Sequence, residues 1–581
     1  MEKKHSLTGI LLCLIFIYST PFFGQTRGDI AFCSYNFDGD DDFAITALSQ
    51  IPANSTIYFT DYEWDETNTT FVETGTDGFL QWDSGNKIIT AGTVIVFTDV
   101  DNSNNSEFGV SIGKLTSLEN TSFITGSAET IFAYVGVNEN TPSTFLTGIK
   151  NGSLSTNELN GTGLGNTDLS KEIDFLEFNP TLSPDGGVFS SSKSDQISYS
   201  NYLTVLTNKN NWTRNTSNGE ALLPFSHEAF TIHTTNWTGM SNSIWNVSGN
   251  WDNGIPSSTS LVTIPNVTTS PIINSSVTAS VGNLTIESEE VLTIDASNAL
   301  TISGVLTNNG SLNMSSGSSL IVLGTTTGVI TYKRNLETSN WYLVSPPFID
   351  ETIENLILNN TFANGTSANI GLAQYSNNGT AWNYKSLTST EVMNSGIGYS
   401  VKLSSDGNIS FTGTMSTSDI EVPITSNTNG FNLIGNPYPS YIPANTNADT
   451  ANNILKINGS SGSNSLIEDT IWLWNQASNS YTTINQISTS RFIAPGQGFF
   501  VNSNGNNVFN FIETMQSHQA IDVFSKNNTS VIPKIELSMT NGKNIKNTEI
   551  YYTDFTSTDF DNGYDSSLFN GISNSFAIYT C

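Results

Sequence analysis

The sequence predicts an all-β chain: a β-sandwich, then a short β-solenoid, then further β-sandwich domain material. Three observations carry that prediction. Runs of four to eight β-branched and aromatic residues alternate with Asn/Gly/Ser/Asp clusters along the chain, the pattern of short strands and turns. Helical periodicity is confined to two short stretches, Glu351–Leu358 and Ala451–Ile457, too little for a helical core. A leucine motif recurs at short steps between residues 284 and 322, as stacked solenoid strands do.

Length and charge set the outer bounds. The 581 residues amount to about four domains at ~150 residues each. The net charge is 20 − 52 = −32, which excludes nucleic acid as a partner, because phosphates need Lys and Arg. An anionic membrane surface is excluded for the same reason. Charged residues are nevertheless only 12% of the chain, against about 25% in an ordinary soluble domain. Ser, Thr, Asn and Gly take their place. Aromatic residues at 11% argue against disorder.

The N-terminus predicts export. Residues 2–5 carry two lysines, Ile10 to Tyr18 is apolar, and Gly24 precedes Gln25. This is the layout of a secretory signal peptide over 1–24; nine apolar residues are too few to cross a bilayer. A lipid anchor at Cys13 is disfavoured by the bulk of Leu12. No later segment has the length of a transmembrane helix, so the mature chain is expected to be secreted or held on the outer cell surface. Cys13 leaves with the leader, and no CxxC pair links Cys33 or Cys581 to a thiolate metal site. Cys33 reads as a small buried apolar residue.

The elements follow in order. Region 25–235 is expected to be a β-sandwich, with strands at Asp29–Tyr35, Thr56–Thr60, Thr93–Asp99 and Thr130–Val135. Region 236–330 opens with Trp237, Trp245 and Gly249-Asn-Trp251-Asp-Asn-Gly-Ile-Pro256. It continues as Leu284-Thr-Ile, Leu292-Thr-Ile, Leu300-Thr-Ile, Leu306-Thr-Asn, Leu312-Asn-Met and Leu320-Ile-Val. Each motif points its first and third residues inward and cannot bury that face alone, so each is expected to stack on the next. Region 331–530 has apolar strands ending at Pro and Gly corners, as a β-sandwich does. Region 531–581 carries strands at Lys534–Met539, Thr548–Thr553 and Ser575–Thr580. It reads as the start of a further β domain, shortened in this chain, because a domain of 50 residues with an unprotected last strand is hard to stabilise.

These residues also carry a resemblance. The GNWDNGIP opening, the leucine rungs, Tyr332-Lys-Arg-Asn-Leu336, Trp341-Tyr-Leu-Val-Ser-Pro-Pro347, Leu433-Ile-Gly-Asn-Pro-Tyr-Pro-Ser440, Ile471-Trp-Leu-Trp-Asn475 and Phe492-Ile-Ala-Pro-Gly-Gln-Gly-Phe-Phe-Val501 together resemble large surface proteins of Bacteroidota. Those proteins are similar to cargo of the type IX secretion system. The stretch from Gly28 to Trp64 resembles a lamin-tail-like β-sandwich module of bacterial exoproteins. The resemblance implies export and an adhesive or scaffolding role. Such proteins usually end in a C-terminal sorting domain, which this sequence lacks.

Three acidic clusters are the candidates for chemistry. Asp38-Gly-Asp40-Asp41-Asp42 and Asp99-Val-Asp101-Asn-Ser-Asn-Asn-Ser-Glu107 follow or join strands, and Asp61-Tyr-Glu63-Trp-Asp65-Glu66 follows another. Close carboxylates repel unless a cation intervenes, and calcium takes several oxygen ligands from a loop. Each cluster reads as a solvated acidic turn, the commoner outcome, or as a calcium loop through Asp38, Asp40, Asp42, Asp99 and Asp101. Calcium is the one cofactor the sequence suggests.

Hydrolytic patterns lack their context. No HExxH occurs among His227, His233 and His518. Gly109-Val-Ser111-Ile-Gly113 matches a nucleophile elbow but has no helix signal after it. Gly161-Thr-Gly-Leu-Gly165 reads as a loop. Glu172, Asp174 and Glu177 offer carboxylates for glycoside hydrolysis, though spacing does not select a pair among 52 acids. Trp251, Trp472 and Trp474 read as core residues or as a sugar-stacking platform, with Trp472 and Trp474 on one face of a strand.

The expected function is a non-catalytic secreted or cell-surface adhesin or scaffold. The alternative is a secreted carbohydrate-binding protein, and an exoenzyme such as a glycoside hydrolase comes last. The partners that follow are an extracellular polysaccharide or a cell-surface protein.

Overall fold

The computed structural model describes residues 24–72, 77–118, 123, 130–152, 164–178, 184–476, 479–522, 524, 533–542, 545–552, 556–572 and 576–579. Strands take 42% of the chain and helices 6%, so the fold is all-β and contains a β-solenoid of about three turns. The leader expected over 1–24 lies outside the described residues except for Gly24, as do Cys13 and Cys581. The chain divides into two compact units, Met1–Ile232 and His233–Cys581.

The first unit is built on two six-stranded sheets. One runs in the order Trp212–Asn215, Gly186–Phe189, Ile30–Asn36, Asp42–Ala47, Val94–Thr98, Gly109–Val110; the other is Phe175–Glu177, Thr141–Lys150, Thr130–Asn138, Thr56–Thr60, Phe79–Asp83, Lys114–Ser117. Alternation sorts the side chains. Phe43, Phe59, Trp82 and Phe97 point between the sheets and meet at ring-centroid distances of 4.5–5.7 Å. Tyr58, Phe132 and Tyr134 point to the other side of the second sheet. There they pack with Trp64, Phe79 and Phe145 into a separate aromatic cluster, so both faces of this sheet are dry. Burying large rings in offset or edge-on contact contributes about 0.5–1.5 kcal/mol per pair beyond the area term. Cys33 is free and buried in this core.

The second unit begins as the solenoid. Its strands are short and pair in parallel. The six leucine motifs become Asn283–Ile286, Val291–Ile294, Ala299–Ile302, Leu306–Asn308, Ser311–Met314 and Ser319–Val322. They do not stack each on the next. Leu284 aligns with Leu306, Leu292 with Leu312 and Leu300 with Leu320, so three motifs make one coil and the six make two. The reason is geometric: steps of 8, 8 and 6 residues turn the chain around three faces, and only the third motif returns to the first face. Leu284, Leu292, Leu300, Leu306, Ile286, Ile294 and Ile302 are all fully buried, stacked in columns between the faces.

Both ends of the solenoid are closed. At the start, Trp237, Trp245 and Trp251 pack edge to face, with centroids 5.1 and 4.8 Å apart. At the far end, Ile330–Leu336 still pairs in parallel with Ser311–Met314 but pairs antiparallel with Gly407–Gly413 on its other side. This strand converts the solenoid into an antiparallel fold. One hydrophobic core therefore runs from Trp237 to Met415.

The unit also holds two four-stranded antiparallel sheets, the first of which contributes Tyr342, Val344, Leu372, Tyr399 and Val401 to that core. Their orders are Tyr342–Val344, Tyr399–Val401, Asn369–Ser376, Ala381–Ser386, and Phe431–Gly435, Gly498–Asn502, Thr470–Asn475, Ser480–Asn485. The two expected helices appear as Ile353–Asn359 and Ile454–Asn458. Thr352 and Asn453 cap them by accepting from the N–H of Asn355 and Lys456, as N-cap side chains do. In the last region, Lys534–Thr540 and Ile545–Tyr551 form a hairpin. The strand expected at Ser575–Thr580 is not present over 576–579, and its end residues lie outside the described residues.

Candidate functional site

Hairpin register brings two of the acidic clusters together. The strands Ile30–Asn36 and Asp42–Ala47 are antiparallel neighbours with Asn36 opposite Asp42, so Asp38–Asp41 form the turn between them. Val94–Thr98 flanks Asp42–Ala47 on the other side, with Phe43 opposite Phe97. Asp99 and Asp101, just past that strand, therefore arrive at the same end of the sheet. Backbone groups tie the two turns: the Asp99 N–H donates to Asp42 Oδ1 at 2.7 Å, the Asp41 N–H to Asp101 Oδ1 at 3.3 Å, and the Val100 N–H to the Asp41 carbonyl at 2.8 Å. Asn36 braces the first turn by donating to the carbonyls of Asp38 and Asp40.

The cluster is buried and of one sign. Asp41, Asp42 and Asp99 retain 3, 7 and 2% of their surface, while Asp40 is exposed. Burial raises the Asp41 carboxyl to about 9, helped by the charges of Asp101, Asp61, Asp42 and Asp38. Burial likewise lifts Asp42 and Asp99 to about 6 and raises Asp101. Asp99 adopts φ of +51°, its carboxyl lies within hydrogen-bonding reach of that of Asp101, and its Oδ2 is buried with no partner. No three His, Cys, Asp or Glu side chains among the described residues already stand in a metal-ligating arrangement. Asp38, Asp42 and Asp101 each accept a backbone N–H, from Gly219, Asp99 and Asp41. Asp41 was left out of the expected ligand set. The signal that marks it is its place in the register, opposite the second turn, which is invisible without the pairing of strands.

The third acidic cluster disperses into local bonds. Asp61 accepts from the Gly78 N–H, Asp65 from the N–H groups of Thr67 and Asn68, and Glu66 from the Gly165 N–H. Asp174 and Glu177 are paired with Arg27 at 3.1 Å and Lys171 at 2.9 Å. Ser111 of the GxSxG pattern accepts from the Val96 N–H, and the segment after it is the strand Lys114–Ser117. Gly161 to Gly163 lie outside the described residues.

For Trp251 and Trp472 burial favours the core reading over a stacking platform. Trp251 and Trp472 are core residues, with 5% and no exposure. Trp251 donates to the Trp245 carbonyl and closes the solenoid. Trp472 and Trp474 do share a face, but Phe569 from near the end of the chain lies on it, 6.2 Å from the Trp472 ring. The Trp472 indole donates to the Ser567 carbonyl and that of Trp474 to the Trp341 carbonyl. Apolar rings of this size are buried wherever a covering segment exists.

His233 and His518 are bonded as structural groups, and His227 is exposed. His233 bonds Ser260 Oγ at 2.7 Å. His518 bridges two coils, with Nε2 2.9 Å from Thr301 Oγ1 and Nδ1 2.6 Å from Ser319 Oγ; burial lowers its pKa to about 4. A polar groove of about 840 Å³ in the first unit is lined by Ser190, Ser192, Ser194, Lys193, Glu228 and Phe225.

A family model described as "Domain of unknown function (DUF8693)" matches residues 236–581, well over half of the chain. No curated protein matches this sequence. No solved structure matches it either.

Proposed function

We propose, for a chain that belongs to the DUF8693 family, a non-catalytic role as an adhesin or scaffold, secreted or held on the cell surface. The observation that carries this reading is the unbroken core from Trp237 to Met415. Modules joined by linkers move independently. Here the solenoid feeds a strand directly into the next sheet, so the second unit carries no hinge between them. A stiff, sparsely charged, hydroxyl-rich body suits holding a binding surface away from an anchor. The ordered motifs shared with Bacteroidota surface proteins support export, with the type IX route as the proposed path.

A second reading, a secreted carbohydrate-binding protein, is favoured by one face of the solenoid. Thr263, Thr285, Thr307 and Thr327 align in register on successive coils. Each of the first three sits between buried residues and so points outward, at strand spacings of about 4.8 Å. This column, rather than the tryptophans, is the surface on which a polysaccharide chain would lie.

The test is retention of the purified full-length protein on whole cells and on a panel of insoluble polysaccharides, with released sugars and peptides measured in the supernatant. Retention without release supports the adhesin or scaffold. Sugar retention abolished by Thr285→Lys with Thr307→Lys supports the second reading. Steady release of product overturns both in favour of an exoenzyme.

A further inference from the structure

We propose that the end of the first sheet, between the Asp38–Asp42 and Asp99–Asp101 turns, binds one calcium ion. The cluster alone would be compatible with a solvated acidic turn. What separates it from one is Asp99: its side chain is buried, its Oδ2 has no hydrogen-bond partner, and the charged side chains near it, Asp101, Asp40 and Glu107, are all acidic. A buried anionic oxygen facing other anions is strongly unfavourable unless a cation lies against it.

The donors on the page select the ion. They are carboxylate oxygens with backbone carbonyls beside them, which suit a hard cation. The two turns are irregular and differ in backbone conformation, and calcium accepts six to eight oxygens at about 2.3–2.6 Å in variable geometry. Magnesium demands a near-ideal octahedron, which two unlike turns do not supply. The backbone bonds from Asp99 to Asp42 and from Asp41 to Asp101 hold the turns at a fixed separation. Asp40 is exposed and Asp101 half-buried, so rotation of the Asp40 side chain completes the site without moving the strands, while Asp101 keeps Oδ1 on the Asp41 N–H and has its second oxygen to offer. Asp99 and Asp42 are the buried ligands in this assignment.

The full-length protein is stripped with chelator, titrated with calcium chloride by calorimetry, and melted with chelator or with calcium. The expected result is one calcium per chain. A rise in the melting point of the first unit of about 5–10 °C is expected at roughly a hundredfold excess over Kd. Asp99→Asn is predicted to abolish that rise and, in chelator, to melt above the wild type, because it removes a buried charge without changing shape. A purely structural role for Asp99 would not produce that pair of opposite effects. Asp101→Asn, at a half-buried position, is expected to weaken calcium at least tenfold and serves if Asp99→Asn does not fold. Absence of binding up to about 10 mM, well beyond the range of extracellular calcium modules, overturns the proposal. So does a calcium response that survives unchanged in both variants. An equal response to magnesium overturns the choice of ion.

Discussion

Replacing Asp522 by Ala would strand the charge of Arg334. That guanidinium has no exposed surface. Its Nε and Nη2 donate to the Pro495 carbonyl at 3.2 and 2.9 Å, and Nη1 donates to Ser316 Oγ at 3.3 Å and to Asp522 Oδ2 at 2.5 Å. The rings of Tyr332 and Phe524 lie 5.5 and 4.5 Å from its centre. Removing one member of a buried pair costs about 3–5 kcal/mol, because the other charge is left uncompensated. The carboxylate here keeps 27% of its surface, so water enters the gap, and the carbonyl and ring contacts remain. The expected loss is therefore about 3 kcal/mol, the lower end of that range. Arg334→Met combined with Asp522→Ala should recover at least half of it, since the stranded charge goes too. Urea titration of the full-length protein followed by tryptophan fluorescence measures this. Most of the signal belongs to the second unit, which holds Trp237, Trp245, Trp251, Trp341, Trp382, Trp472 and Trp474. A single variant within about 0.5 kcal/mol of wild type, or a double variant equal to the sum of the singles, would refute the reasoning.

Three further outcomes follow from the same packing. His518 stays neutral in the fold down to about pH 4, whereas the unfolded chain protonates it near 6.5. His518 should thus lower the stability of the second unit as pH drops from 6.5 to about 4, with no further change from this group below. The interval at 1.36 kcal/mol per pH unit is about 3 kcal/mol, and a His518→Leu variant followed over the same range should lack that slope. Gly328 has φ of +89°, and a Cβ there would sit 1.9 Å from the Asn308 carbonyl oxygen; Gly328→Ala should cost at least about 2 kcal/mol, seen as an earlier urea midpoint. Trp251→Ala should lower the stability of the second unit by about 3–5 kcal/mol while leaving any polysaccharide retention at native conditions unchanged; loss of retention in a folded variant would contradict its place in the core.

Local patterns were readable where burial and periodicity coincide. The Leu-x-Ile rungs announced the solenoid because their first and third residues are buried on every coil, and the two capped helices announced themselves by periodicity. What escaped was everything that depends on which strand meets which. Steps of 8, 8 and 6 do not say that Leu284 meets Leu306 rather than Leu292. The shared face of Trp472 and Trp474 followed from alternation, but its covering by Phe569, nearly a hundred residues away, did not. The acidic turns were visible singly; their meeting depends on Asp42–Ala47 lying between two partners. Asp41 became the most buried side chain of its turn only through that pairing.

The three-motif coil also makes the second unit a ruler. Each coil takes 20–22 residues, the separation of Leu292 from Leu312 and of Leu284 from Leu306, and advances the solenoid by one strand spacing of about 4.8 Å. Gain or loss of a whole coil keeps the strand columns in register between the tryptophan end and the antiparallel end, provided that the flank contacts His518 makes to Thr301 and Ser319 are kept. The distance between those ends is therefore set in fixed increments, one coil at a time.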